Sequence, residues 1–127
     1  DEYSETVGLL IEGPHRRLFY VPDTDGWSGW EPPLTDVLSG VDVAILDGTF
    51  YSAGELPGRD VAGEIPHPTM EGSMARFAPL SPAIRAKIRF IHLAHDNPAL
   101  VEGSEAARRV AAAGMGIARS GERVSLY

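Results

Sequence analysis

Five side chains in this sequence carry chemistry that a protein can use at a metal or proton-transfer site: Asp23, Asp47, His67, His92 and His95. Asp23 follows the apolar run Arg17 to Val21 (RLFYV), and Asp47 ends the run Val41 to Leu46 (VDVAIL). His92 and His95 close the run Ile88 to Leu93 (IRFIHL), and His67 sits in Ile65-Pro66-His67-Pro68-Thr69. In open α/β sheets, reactive groups collect beyond the carboxyl ends of the strands. These three histidines and two aspartates are therefore expected on one rim. The chain contains no cysteine, which excludes disulfides and thiolate ligands. A metal on that rim would be held by carboxylates and imidazoles, a donor set that suits zinc or iron.

Each residue also has a plainer reading. Asp47 followed by Gly48 is a common strand-ending turn, and Asp23 can close a turn on its own backbone. His67, between two prolines, suits an exposed loop. His92 within an apolar run suits a hydrogen-bonded core histidine, and His95 suits a surface neighbour of the Asp96-Asn97-Pro98 turn. Trp27 and Trp30 either wall a pocket or pack in the core. His15, beside Arg16 and Arg17, is given no role. Residue by residue, these alternatives stay open.

The elements that must position these groups begin with a hairpin. Thr6 to Ile11 (TVGLLI) and Arg17 to Val21 are rich in β-branched and aromatic residues, with Gly13-Pro14 as the turn. A loop from Asp23 to Pro33 follows, then a short helix from Leu34 to Leu38 with Gly40 past its end. Val41 to Leu46 is almost wholly apolar, as a central strand covered on both faces should be. Tyr51 to Pro68 is rich in glycine and proline and reads as a long irregular loop, a feature often tied to function. Thr69 caps a helix reaching Ala78, and Ser81-Pro82 opens another. Ile88 to Leu93 is the next strand. Ser104 caps an alanine-rich helix from Glu105 to Ala113, stopped by Gly114. Gly116 to Arg119 and Val124 to Tyr127 are expected as two short closing strands. A hairpin followed by alternating helices and strands predicts an α/β layered architecture in a single domain over residues 1–127.

The bulk properties narrow the function classes. A chain of 127 residues is enough for one compact domain that buries roughly two-thirds of its unfolded surface. The net charge of -7 argues against nucleic acid as a partner, because such binding needs cations to displace counterions from phosphates. No apolar run approaches the ~18 residues that cross a bilayer, and no basic segment precedes an apolar one as in a signal peptide. No membrane association and a cytoplasmic location are expected. The chain opens Asp1-Glu2-Tyr3 without a methionine, which fits one part of a longer polypeptide.

Taken together, LFYVPDT (Leu18 to Thr24), VDVAILDGTF (Val41 to Phe50), the His67 loop and FIHLAHDNP (Phe90 to Pro98) resemble the second half of the metallo-β-lactamase fold. Leu46 to Tyr51 and the Ile91-His92 to Asn97-Pro98 run resemble most closely the coenzyme PQQ synthesis protein B family. The likeness spans essentially the whole chain. It implies half of an αββα sandwich, a mixed β-sheet covered by helices, with one sheet face left apolar. It also implies site roles: Asp47 as a metal-bridging carboxylate, His92 as the last histidine ligand and His67 as the catalytic loop histidine facing substrate. His95 stands where that family has an amide residue, as an added metal ligand, and Asp23 and Thr49 line the site. The superfamily's His-x-His-x-Asp-His motif, which supplies most of the ligands, is absent from this sequence.

Three functional readings result. The first is a metal-dependent hydrolase or PQQ-biosynthesis oxidoreductase, binding zinc or iron and a small-molecule substrate once its own N-terminal half is supplied, and inactive alone. The second is a non-catalytic half-domain that acts as a homodimer or docks on a partner, with no metal. The third is a receiver-like domain with Asp47 as a phosphoryl acceptor. It lacks the acidic pair that would hold magnesium, and it begins with a hairpin in place of a βαβ unit.

Overall fold

The computed structural model describes residues 6–54 and 67–127. Five strands form one mixed sheet in the order of the chain: β1 (Leu9–Glu12), β2 (Arg17–Val21), β3 (Val43–Asp47), β4 (Ile88–Ile91) and β5 (Gly116–Ile117). β1 runs antiparallel to β2, and every later neighbour pair is parallel. The parallel pairs are joined by helical crossovers: α1 (Leu34–Ser39), α2 (Met70–Phe77) with α3 (Pro82–Arg85), and α4 (Glu105–Ala112). The expected α/β layering and mixed sheet are found.

Register explains where the core lies. Phe19, Ala44 and Ile88 are in line across β2, β3 and β4, as are Val21, Leu46 and Phe90. Side chains two apart share a face, so these six form one apolar surface, and all are buried. Onto it fold Leu34 and Leu38 of α1, Met70 and Phe77 of α2, and Ala106 and Val110 of α4. Met70 and Phe77, seven apart, and Ala106 and Val110, four apart, are spacings that put a helix's apolar residues on one side. Thr69, Ser81 and Ser104 accept hydrogen bonds from the amides of Gly72, Ile84 and Ala107, so all three expected caps form.

The structure departs from the sequence reading at the edges. β1 starts at Leu9 instead of Thr6 and is exposed throughout, leaving Val7, Leu9, Leu10 and Ile11 open to solvent. β4 stops at Ile91, two residues early, because His92 takes a left-handed backbone with φ of 68° that ends the ladder. The second closing strand does not join the sheet. Instead, the Leu126 carbonyl accepts the amides of His15 and Arg16, tying the tail to the hairpin turn. A Cβ on Gly13 would meet Leu126 Cβ at 2.3 Å, so the glycine makes that approach possible. Most of the Tyr51 to Pro68 loop lies outside the described residues. No described helix is long and apolar enough to cross a membrane.

A candidate metal and proton-transfer centre

Asp47 is the last residue of β3 and is completely buried. A carboxylate in that position must be satisfied by donors, and the described residues supply four. Oδ2 accepts the Thr24 amide at 2.9 Å, and Oδ1 accepts the Thr49 amide at 2.9 Å and the Thr49 hydroxyl at 2.7 Å. His67 Nδ1 lies 2.8 Å from Oδ2. The loops after β2 and β3 and the segment before α2 therefore meet on one side chain.

Hydrogen-bond chemistry then fixes both imidazoles. An ionised carboxylate only accepts, so the proton between His67 and Asp47 rides on Nδ1, and in the neutral ring His67 Nε2 keeps its lone pair. The Thr49 hydroxyl has one hydrogen, and Asp47 takes it. Thr49 Oγ1 is then left to accept from its ring neighbours, His92 Nδ1 at 3.1 Å and His67 Nδ1, already shared with Asp47, at 3.3 Å. His92 is thus also held with Nδ1 protonated and Nε2 free. This is the tautomer a ligating or proton-accepting histidine needs, with its other ring nitrogen anchored by an oxygen. The two rings lie 6.3 Å apart, centre to centre, and Phe50 packs edge-on to His67 at 5.7 Å.

Several local features hold this corner in place. Gly48 passes so close to β4 that a Cβ there would meet Phe90 Cβ at 2.7 Å, and its amide donates to the Ile91 carbonyl at 2.8 Å. Asn97 is buried, its Nδ2 donating to the carbonyls of Gly48 and Thr49 and its Oδ1 accepting the Ala99 amide. Trp27, also buried, donates from Nε1 to Ser73 Oγ at 2.8 Å and seats the loop that carries Thr24 onto α2. Thr24 and Asn97 do work that the sequence reading did not assign. In the sequence Asn97 stands in the Asp96-Asn97-Pro98 turn and in the run that carries the family resemblance, and its amide, with both a donor and an acceptor, is the feature that suits it to this buried junction.

The expected site residues are placed as follows. Asp23, Asp47 and His67 bring one ligand atom each within 4.8 Å of one another. Asp23 is largely exposed, and its Oδ1 lies 3.5 Å from His67 Nδ1. Thr49 joins this group to His92, which is exposed just past β4 and is not a core histidine. His95 is exposed on the turn beyond and lies outside the converging group.

The chain matches the family described as Beta-lactamase superfamily domain over residues 1–93. It is 36% identical over 129 residues to coenzyme PQQ synthesis protein B of Methylobacterium sp. (strain 4-46), an alignment covering 98% of this chain and 42% of that protein. With the protein of the same name from Rhizobium meliloti (strain 1021) it shares 33% identity over 130 residues, covering 98% and 41%. Among solved structures it is similar to Zn(2+)-bound PqqB from Methylobacterium extorquens. The TM-score is 0.77 at 28% identity, covering 95% of this chain and 44% of that one. The chain thus spans about two-fifths of the length of the relatives it matches.

Proposed function

The chain belongs to the β-lactamase superfamily and is PqqB-like, and from that premise we propose that it forms the C-terminal half of a metal-dependent protein of the PQQ-biosynthesis type. Its share of the work is one side of a divalent-metal site. The observation that carries this reading is the corner in which one buried carboxylate, Asp47, orders His67 directly and His92 through Thr49.

The donor chemistry fits a metal such as zinc or iron. Asp23 and Asp47 offer carboxylate oxygens and His67 an imidazole nitrogen in one converging group, and His92, joined to it through Thr49, offers a second imidazole. Two ligands at ~2.1 Å from a tetrahedral ion stand about 3.4 Å apart. The 3.5 Å between Asp23 and His67 runs to Nδ1, the nitrogen that Asp47 holds, so a ligating His67 would use Nε2. The 2.8 Å between Asp47 and His67 is a hydrogen-bond length, so Asp47 serves His67 as anchor and ligates only if that bond opens. When bound, the ion would acidify a water or polarise a substrate oxygen. His67 is the residue placed to take or give a proton, because Asp47 behind it fixes the ring. Hydrolysis or oxidation by the assembled protein, and its small-molecule substrate, belong to the same proposal.

Calorimetric titration of the chain with Zn2+ and Fe2+ tests this. D23A, D47A, H67A and H92A should each weaken uptake, and H95A should leave it nearly unchanged. Undiminished binding in a D47A/H92A double variant would remove the site from this corner.

A second reading, a half-domain that docks on a partner without catalysis, is favoured by the exposed apolar edge of Val7, Leu9, Leu10 and Ile11. Sedimentation of the metal-free chain addresses it. A stable dimer that takes up no metal would favour this reading over the first.

A further inference from the structure

We infer that the substrate of this site is an organic carboxylate with an apolar body, and that Arg119 receives its carboxylate; the inference rests on the reading of the His92 rim as functional. A cavity of about 380 Å3 opens beside His92, lined by Ile91, His92, Leu100, Ala118, Arg119 and Ser120. Arg119 follows β5 at the carboxyl edge of the sheet, next to the end of β4 that carries His92.

Arg119 is set apart by its place on the cavity wall and not by its bonding alone, since Arg16, Arg85 and Arg108 likewise donate to a backbone carbonyl but do not line this cavity. Arg17, Arg89 and Arg109 are paired with Glu12, Glu122 and Glu105. Among the described residues Arg119 has no acidic partner, and its Nη1 donates to the Leu100 carbonyl at 2.8 Å. That bond holds one edge of the guanidinium against the turn Pro98–Leu100. A guanidinium has five N–H donors in a planar fork that matches a carboxylate or phosphate in bidentate fashion, and most of them remain uncommitted.

The chain carries a net charge of -7, a field that repels anions. A lone cation lining the cavity reverses this locally, which is what capture of an anionic substrate requires. The other walls choose between anions. Ile91, Leu100 and Ala118 present hydrocarbon, which inorganic phosphate cannot cover and an organic acid can. A carboxylate on Arg119 brings the attached body past the His92 ring.

The test is a two-dimensional amide NMR titration of the metal-free 127-residue chain with phenylacetate, phenylacetamide and inorganic phosphate. Phenylacetate should shift the amides of His92, Ala118, Arg119 and Ser120, and should bind tighter than its neutral amide. R119Q should weaken phenylacetate by about 10- to 100-fold, as loss of a charged hydrogen-bond donor does. R119K should fall between R119Q and the parent. Equal binding of phenylacetamide, an unchanged R119Q, or shifts confined elsewhere would overturn the assignment. Phosphate binding as tightly as phenylacetate would overturn the organic-acid part. If R119Q disturbs the spectrum at large, the carboxylate-to-amide preference of the parent and R119K still decides. Because no metal is added, a chain that fails to take up zinc still reports on Arg119. Metal uptake without carboxylate selectivity would overturn this inference alone.

Discussion

The corner around Asp47 and the rim around His92 and His95 lie one strand apart, yet they are built differently. Asp47 has no exposed surface and four donors, so its position is fixed by the loops after β2 and β3 and by the segment before α2. His92 and His95 stand in solvent, and among the described residues the His92 ring has one oxygen partner, Thr49, on a left-handed backbone. The two regions thus divide the work. In the proposed site the buried carboxylate sets geometry, and exposed His92 presents the nitrogen that would meet an ion or substrate. A site made only of buried groups would have nothing free to react, and one made only of exposed groups would have no fixed geometry.

The largest effect should come from breaking the buried side. D47A leaves the Thr24 and Thr49 amides, the Thr49 hydroxyl and His67 Nδ1 without their acceptor, and should cost about 3–5 kcal/mol in urea unfolding. N97A should cost about 2–3 kcal/mol by the same assay, because the Gly48 and Thr49 carbonyls and the Ala99 amide lose a buried partner. G48A forces a methyl against Phe90 and should cost about 1–3 kcal/mol.

On the exposed side the sign changes. H92G removes the left-handed penalty and should raise stability by about 1 kcal/mol, while metal uptake in calorimetry falls. If H92G destabilises the chain instead, His92 is held by packing and the contrast between the two regions fails. The smallest effect joins them. T49V should cost about 1 kcal/mol and free His92 to sample both tautomers in its imidazole nitrogen spectrum, and T49S should restore the parent pattern.

Much of this was legible in the chain. The apolar runs at Arg17, Val41 and Ile88 gave three strands in place, because continuous hydrophobicity and turn residues act locally. Ser and Thr caps fixed the starts of three helices for the same reason. Asp23, Asp47, His92 and His95 stand out because strand ends on one sheet edge converge, His67 joins them from its loop and Thr49 through the family resemblance; His95 is the one that lies outside the converging group. Hydrogen-bond roles were not legible. That Thr49 links Asp47 to His92 over 43 residues depends on a turn at His92 that no residue type announces. Equally hidden was the edge: β1 reads as apolar as a core strand, and only the sheet order puts it outside.

The most direct measurement is the imidazole nitrogen spectrum of the chain, recorded during titration with Zn2+. The account predicts that His67 and His92 begin as Nδ1-protonated rings and that both move on binding, with His15 and His95 unaffected. Movement confined to His15 or His95, or a starting spectrum with Nδ1 unprotonated in both rings, would contradict it.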